Sequence, residues 1–397
     1  MRILFVSAVL PYPLYSGGQI RIYNLLKKAS LHHDITLCAF TRDSAEDRYK
    51  NELKFCKKVH TVLRGSAWQW SYVMRSVLGR YPFVFSTYNL HSMQVLIEKE
   101  LSRTSYDLIH IEPGYVFPSL PKTNVPIVVG EHNIEHEVYE GYIRRFSIIP
   151  LRPLLYVDVL KLRAWERIVW NKAAHVITVS IRDASTVASV VGEDKITVAS
   201  NGVDIAAFPF APKKEIDAHA PVFLFVGNFS WMQNRDAVLV LVGNIWNGIR
   251  AKYPDAILRI VGKNMPASLK KKVLQEGVVL LEDIEDIRLQ YRKADVLVAP
   301  IRIGGGTKFK ILEAMASGLP VVTTIKGIEG LRVENGKHVI VVDDPKDMVA
   351  AVDDALDKKI RESITKAARG KIEQEYSWKT ITDKLLSAWQ TAYERKR

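Results

Sequence analysis

Residues 296–318 read Val-Leu-Val-Ala-Pro-Ile-Arg-Ile-Gly-Gly-Gly-Thr-Lys-Phe-Lys-Ile-Leu-Glu-Ala-Met-Ala-Ser-Gly. The first four residues are apolar and valine-rich, the pattern of a short buried strand. Gly304, Gly305 and Gly306 follow, and residues 308–317 then carry a helical pattern closed by Gly318. A strand that passes through glycines into a helix presents the free N–H groups of the first helical turn at the strand's carboxyl end. Glycine lets a ligand approach the backbone, and the positive end of the helix dipole favours an anion there. Thr307 adds a hydroxyl donor, and Lys308 and Arg302 add positive charge. A diphosphate fits this chemistry. The spacing is not that of a Walker loop.

Glu313 stands among Ile311, Leu312, Ala314, Met315 and Ala316 on a helix whose neighbours are apolar. A carboxylate in such a place needs partners. Two readings stand side by side: a ribose diol offering two donors, or a solvent-facing glutamate paired with a nearby lysine.

Outward from this stretch, strand and helix patterns alternate almost throughout. Residues 3–7, 35–40, 58–63, 107–112, 126–130 and 175–180 read as strands, with a helix over 19–30. Residues 201–220, with Gly202, Pro209, Pro212 and the pair Lys213-Lys214, read as a linker. A second alternation follows, with strands at 222–226, 257–261, 278–281, 296–299, 321–323 and 339–342. Helices are expected at 236–252, 267–275, 284–292 and 308–317, with a charged helical tail from 345. Short apolar strands separated by helices predict α/β domains with mostly parallel, doubly wound sheets. The boundaries expected are 1–200, the linker 201–220, 221–376, and a last helix over 377–397. In such sheets ligands bind at the carboxyl ends of the strands.

The totals agree. A chain of 397 residues that is 48% hydrophobic and 25% charged supports two globular cores. Lys plus Arg is 56 against 43 acidic residues, a net +13, which implies anionic partners. No RNA- or DNA-binding module is recognisable, so nucleic acid is not expected. Cys38 and Cys56 form no metal or redox pattern and imply a reducing, cytoplasmic setting. The apolar start is short and followed by Pro11 and Pro13, which suits a first strand better than a signal peptide.

Gly304-Gly305-Gly306-Thr307-Lys308, Leu312-Glu313-Ala314-Met315-Ala316 and Gly318-x-Pro320-Val321-Val322 together resemble the donor site of family 4 glycosyltransferases. Pro13-x-x-x-Ser16-Gly17-Gly18, Asn201-Gly202-Val203-Asp204 and Val226-Gly227-Asn228-Phe229-Ser230-Trp231 agree with it. The resemblance implies the GT-B fold: two Rossmann-like domains facing each other across a cleft, the first for the acceptor and the second for the nucleotide-sugar. It also implies that the last helix returns to the first domain. It implies a retaining transfer, with no structural metal and no further cofactor, from a nucleoside-diphosphate-sugar (UDP or GDP). The acceptor would be a glycan or lipid-linked molecule, in cell-envelope polysaccharide or glycoconjugate synthesis. On the same basis Glu313 meets the ribose, and Lys308 and the amides of Gly304–Thr307 meet the diphosphate. Gly17 and Gly18 lie near the phosphates, and His132 near the transferred sugar.

Three positions depart from the family. Gly305 stands where a sugar-holding glutamate is common, and Asn228 and Gln233 stand where Arg and Lys are usual. Arg302, Lys308 or Arg235 would then supply the charge.

Rival readings exist. His132-Asn133-Ile134-Glu135-His136 matches an inverted zinc-hydrolase motif but has no third ligand in view. A nucleotide-sugar epimerase would share the fold, and a non-catalytic binding protein is a weaker alternative. The chain has no Asp-x-Asp pair of the kind that holds Mg²⁺ or Mn²⁺ on a diphosphate. Two stretches rich in Trp, Tyr and Arg, about 64–81 and 144–170, are either ordinary helices with a buried aromatic side or surfaces for an anionic membrane.

Overall fold

A computed structural model describes residues 1–144, 150, 152–213, 215–217 and 219–395. Lys214, read as part of the linker, and residues 145–149 and 151 of the second aromatic stretch lie outside the described residues.

The chain divides into two compact units, 1–200 with 381–397, and 201–380. In the first, β1 (Arg2–Ser7), β2 (Asp34–Thr41), β3 (Lys58–Leu63), β4 (Leu108–Glu112), β5 (Ile127–Glu131), β6 (His175–Thr178) and β7 (Ile196–Val198) form one sheet. Its order is β3-β2-β1-β4-β5-β6-β7, parallel throughout. Around it run α1 (Gly17–Ala29), α2 (Trp70–Leu78), α3 (Phe83–Tyr88), α4 (His91–Arg103), α5 (Glu135–Arg144), α6 (Arg152–Lys172) and α7 (Ile181–Val191). Strands β1, β4 and β5 are buried almost end to end, as strands covered on both faces must be.

In the second unit, β8 (Val222–Asn228), β9 (Ile257–Lys263), β10 (Val278–Glu282), β11 (Val296–Ala299), β12 (Val321–Thr324) and β13 (Ile340–Val342) pair in the parallel order β10-β9-β8-β11-β12-β13. Its helices are α8 (Met232–Val240), α9 (Trp246–Lys252), α10 (Ala267–Val273), α11 (Arg288–Lys293), α12 (Phe309–Ser317), α13 (Met348–Leu356) and α14 (Lys358–Lys371). The last helix, α15 (Trp378–Glu394), belongs to the first unit from Ile381 onward. There the Trp389 indole is fully buried and donates to His110 Nδ1 at 2.9 Å.

In both sheets the chain first winds one way and then the other. The turning points are β1/β4 and β8/β11, the places where doubly wound sheets bind ligands.

The expected strands all form, with bounds shifted by a residue or two, and β7 was not foreseen. The helix expected over 236–252 is divided into α8 and α9 by a wider turn at Leu241–Ile245. The described residues of 201–220 belong to the second unit: Ala211 N donates to Ser317 O, Arg369 donates to Phe208 O, and Lys213 pairs with Asp295. Cys38 and Cys56 are free, buried thiols.

Candidate functional site

In the second unit, β11 ends at Ala299 and the loop 300–308 leads into α12. Gly304 (φ 99°) and Gly306 (φ 66°) take backbone conformations that favour glycine. A side chain on Gly304 would also press on Gln233, with its Cβ 3.3 Å from that of Gln233. The glycines thus let the loop lie against the start of α8. Helix α12 opens at Phe309 with no side-chain hydrogen bond from its N-cap, Lys308; Ile311 N donates to Lys308 O at 3.0 Å, which leaves the N–H groups of Phe309 and Lys310 for a ligand. Gly318, left-handed at φ 79°, closes it.

Lys308 Nζ donates to the loop carbonyls of Gly305 (2.9 Å) and Gly306 (2.6 Å). Burial lowers its pKa to about 8. Thr307 Oγ1 accepts from Asn201 Nδ2 at 2.6 Å, which leaves the hydroxyl proton to donate. Glu313 is half-buried and accepts from the buried Tyr291 hydroxyl at 2.6 Å on Oε2. Burial raises the Glu313 pKa, opposed by the Tyr291 hydrogen bond and the Lys310 charge. Glu313 is therefore not the exposed half of a lysine ion pair.

Asn228 ends β8; its Oδ1 accepts from Ser230 N (3.0 Å) and Asn264 Nδ2 (3.3 Å). Arg302 is tied to Asp236 of α8 by two hydrogen bonds, 2.6 and 3.1 Å, so its charge is paired. Arg235 donates to backbone carbonyls of Phe229 and Ser230.

Sequence reasoning missed Lys310. It lies in the first turn of α12, buried, its Nζ 4.2 Å from the Phe225 ring centre and 2.8 Å from Asn234 Oδ1. Burial, helped by Lys308, lowers its pKa to about 7. Asn234 in turn donates to Asn228 O at 2.8 Å, so Lys310 is held between α12 and the end of β8. The nearest signal was a lysine in an otherwise apolar helix, two residues after Lys308. A cavity of about 590 Å³ flanks this arrangement at the ends of β11, β12 and β13, lined by Ile301, Arg302, Thr324, Lys326, Glu329 and Asp343 among others.

In the first unit, Glu112 ends β4 and is fully buried. It accepts from Arg21 Nε at 2.7 Å, His132 Nε2 at 2.7 Å and His110 Nε2 at 3.0 Å. Burial alone would raise its pKa, but Arg21 and the two histidines outweigh it and hold the carboxyl well below the usual range. Arg21 also donates to the carbonyls of Ala199 (2.8 Å) and Ser200 (3.0 Å). Gly130 makes room: a Cβ there would stand 3.0 Å from the Glu112 carboxyl.

Nε2 of His132 is taken up by Glu112, and Nδ1 is the ring's other polar edge. That edge faces the Gly17-Gly18 turn, where a Cβ on Gly18 would lie 3.4 Å from Nδ1. Ser16 caps α1 by accepting from Gln19 N, which sets this turn. Gly17, Gly18 and His132 are thus brought together, and Glu112, Arg21 and His110 complete the network unannounced by the sequence.

His136 turns elsewhere. Its Nδ1 is 2.5 Å from Glu166 Oε2, and Glu166 also accepts from the first N–H groups of α5. His132 and His136 thus serve different carboxylates. No cluster of three or more metal-ligating side chains occurs among the described residues, which leaves the zinc reading unsupported.

Comparison with known proteins bears on the family and the fold. The model for "Glycosyltransferase Family 4" matches residues 15–207, and that for "Glycosyl transferases group 1" matches 220–358. A 44.6 kDa protein in the cps region of Klebsiella pneumoniae is 24% identical over 86% of this chain and 88% of its own length. The phosphatidyl-myo-inositol mannosyltransferase of Mycolicibacterium smegmatis is 23% identical over 74% of each chain. HepE of Anabaena, solved in complex with UDP and glucose, superposes with a TM-score of 0.65 at 16% identity, covering 98% of each chain. Neither an epimerase nor a metallohydrolase finds support here. Two matched domains over two doubly wound sheets make this chain a member of glycosyltransferase family 4, with the GT-B fold.

Proposed function

We propose that this glycosyltransferase moves a hexose from a UDP- or GDP-sugar to a glycan or lipid-linked acceptor with retention of configuration. It needs no metal and no further cofactor, and works in the cytoplasm on cell-envelope polysaccharide or glycoconjugate. The observation that carries the reading is the opening of α12. The N–H groups of Phe309 and Lys310, Thr307, and the ammonium groups of Lys308 and Lys310 gather there, with the Glu313 carboxyl one turn on. The Klebsiella relative from a cps region, the mannosyltransferase named for a phosphoinositide and the UDP complex of the Anabaena protein support it.

In this reading the diphosphate lies on the amides of Gly304, Gly305, Gly306 and Thr307. Lys308 exchanges its two loop carbonyls for phosphate oxygens. Lys310 supplies the cation that Asn228 and Gln233 do not. Arg302, held by Asp236, steadies the loop against α8. Glu313 accepts from the ribose hydroxyls through Oε1, with Tyr291 fixing Oε2. In the first unit, His132 accepts from a sugar hydroxyl through Nδ1, and the Gly17-Gly18 turn leaves space beside it.

The acceptor oxygen bonds to the anomeric carbon on the face from which the diphosphate departs. The acceptor's proton passes to the leaving phosphate oxygen. Catalysis is then orientation plus stabilisation of the charge that grows on the diphosphate.

The test is the thermal midpoint with UDP, GDP, ADP, NADH and Zn²⁺, each with and without EDTA. A ligand at about one hundred times its dissociation constant adds about 2.7 kcal/mol. One nucleoside diphosphate should raise the midpoint, EDTA should leave the rise intact, and Glu313→Ala should cut it by about half or more. A rise only with Zn²⁺ or NADH would sink the proposal.

A further inference from the structure

Arg64 follows β3 at the carboxyl edge of the first sheet and is only 5% exposed. Its backbone is held on both sides. The amide donates to Thr41 O (2.8 Å), and the carbonyl accepts from the Tyr72 hydroxyl (2.9 Å) and Gln69 Nε2 (3.3 Å). The guanidinium shares in none of this. Nε has no hydrogen-bond partner, and the side chain makes no hydrogen bond or ion pair among the described residues. What it meets is the face of Tyr88, whose ring centre lies 4.8 Å from Cζ.

A buried guanidinium ordinarily sits against acceptors. Arg21 of the same unit obeys the rule, with Glu112 and two backbone carbonyls as its partners. Arg64 leaves both a positive charge and the Nε–H donor unanswered inside the protein. A ligand that brings an acceptor and a negative charge would answer both.

A second cation stands beside it. Thr41 and Leu63 are partners in the parallel pairing of β2 and β3, so Arg42 and Arg64 leave adjacent strands side by side. Burial raises the pKa of Tyr88, and the charges of Arg64 and Arg42 both oppose it, which places the two cations near one ring. Arg42 is exposed and makes no hydrogen bond or ion pair among the described residues. The acids nearby are spent. Asp43 accepts from Ala45 N, and Asp47 is taken by Lys50 and Thr61. Glu131 and Glu135 lie near Tyr115, whose ring centre is 4.9 Å from that of Tyr88. Burial, helped by Glu166, pushes Glu131 well up and Glu135 up to about 8, so neither balances the arginines at neutral pH.

Two unbalanced guanidinium groups at the carboxyl edge of a doubly wound sheet stand where such sheets bind ligands. Their planar forks match an oxyanion. We propose that Arg64 and Arg42 bind an oxyanion, phosphate or carboxylate, carried by the acceptor. The acceptor is then a phosphorylated or acidic molecule rather than a neutral sugar. Calling it the acceptor rests on the transfer reaction proposed above; the oxyanion site rests on the first unit alone.

The experiment is isothermal titration of the full chain with inorganic phosphate and with glucuronate, made in a Lys308→Ala background so that the donor loop contributes less. At least one of the two should bind, and the tighter one tells phosphate from carboxylate. Adding Arg64→Met should weaken that binding by about tenfold or more, the range for a hydrogen bond to a charged group. The same change should keep or raise the melting temperature, because it removes a buried charge that has no counter-ion. Arg42→Gln, at an exposed position, should cost about two- to fivefold. Arg64→Lys keeps the charge without the fork and should lose part of the affinity; it carries the test should the methionine variant not fold. Binding of neither anion, or binding indifferent to Arg64, would overturn the proposal. So would a lower melting temperature in Arg64→Met with anion binding intact, since the arginine would then serve the fold. Phosphate binding seen in the wild-type chain but lost with Lys308→Ala alone would place the anion in the second unit, and would equally overturn it.

Discussion

Glu112 and Glu313 are both carboxyls near the carboxyl edge of a parallel sheet, and their surroundings differ sharply. Glu112 takes hydrogen bonds from Arg21, His110 and His132 and is ionised by them. Glu313 takes one from Tyr291, and its Oε1 accepts none among the described residues; burial leaves its pKa raised. The first is a finished network whose product is the orientation of His132. The second keeps capacity in reserve for a ligand. A buried charge with all its partners serves the protein's own structure, and one with too few points outward to chemistry.

If that contrast is right, the largest effect belongs to Glu112→Ala. It leaves the Arg21 guanidinium buried without its counter-ion, a loss of about 3–5 kcal/mol in a denaturant melt. Glu313→Gln should stay within about 1 kcal/mol of wild type, because the Tyr291 hydrogen bond survives. Equal losses in the two variants would break the comparison.

Next in size is Lys308→Ala. Removing one preorganised donor from the growing charge costs about two to three decades in turnover. Folding should be little affected, since its present partners are two carbonyls of its own loop. A change of only a few-fold would move the role to Lys310.

Glu313→Ala should then weaken nucleoside diphosphate binding by about ten- to a hundredfold, the range for a hydrogen bond to a charged group. Isothermal titration reads it directly. If the affinity of the 2′-deoxy nucleotide fell equally in wild type and variant, the ribose assignment would fail.

Much of this was legible in the sequence, for a physical reason. Strands covered on both faces must be short apolar runs, so β1, β4, β5, β8 and β11 declared themselves. The glycine run at 304–306 declared the loop, since two of its residues adopt positive φ. What stayed hidden depends on partners distant in sequence. Arg21 and Glu112 lie 91 residues apart, and Lys310 and Asn234 lie 76 apart. Neither pair has a local pattern. Lys310 carries no local mark of its role; its packing on Phe225 and its bond to Asn234 reveal it. Arg302 is a further case: its position by the loop showed a cation, and its partner Asp236, 66 residues away, was out of view.

The finest prediction concerns Lys310. Its pKa is about 7 in the folded protein against an ordinary 10.5. Between these values the unfolded chain holds a proton that the folded chain does not, so stability should rise with pH across that window. The slope from one such group is at most about 1.4 kcal/mol per pH unit. Below pH 7 both states are charged and the slope from Lys310 vanishes. Lys308, with a pKa of about 8, adds a smaller contribution of the same sign. Lys310→Met should flatten the alkaline rise in urea melts and leave the Lys308 part. A diphosphate works the other way: its charge restores the proton, so nucleotide binding near pH 8 should take up protons. Calorimetry in two buffers of different ionisation enthalpy measures that uptake. Wild type should exceed Lys310→Met by a fraction of a proton, and identical uptake would remove Lys310 from the phosphate site while leaving Glu313 and Lys308 where they stand.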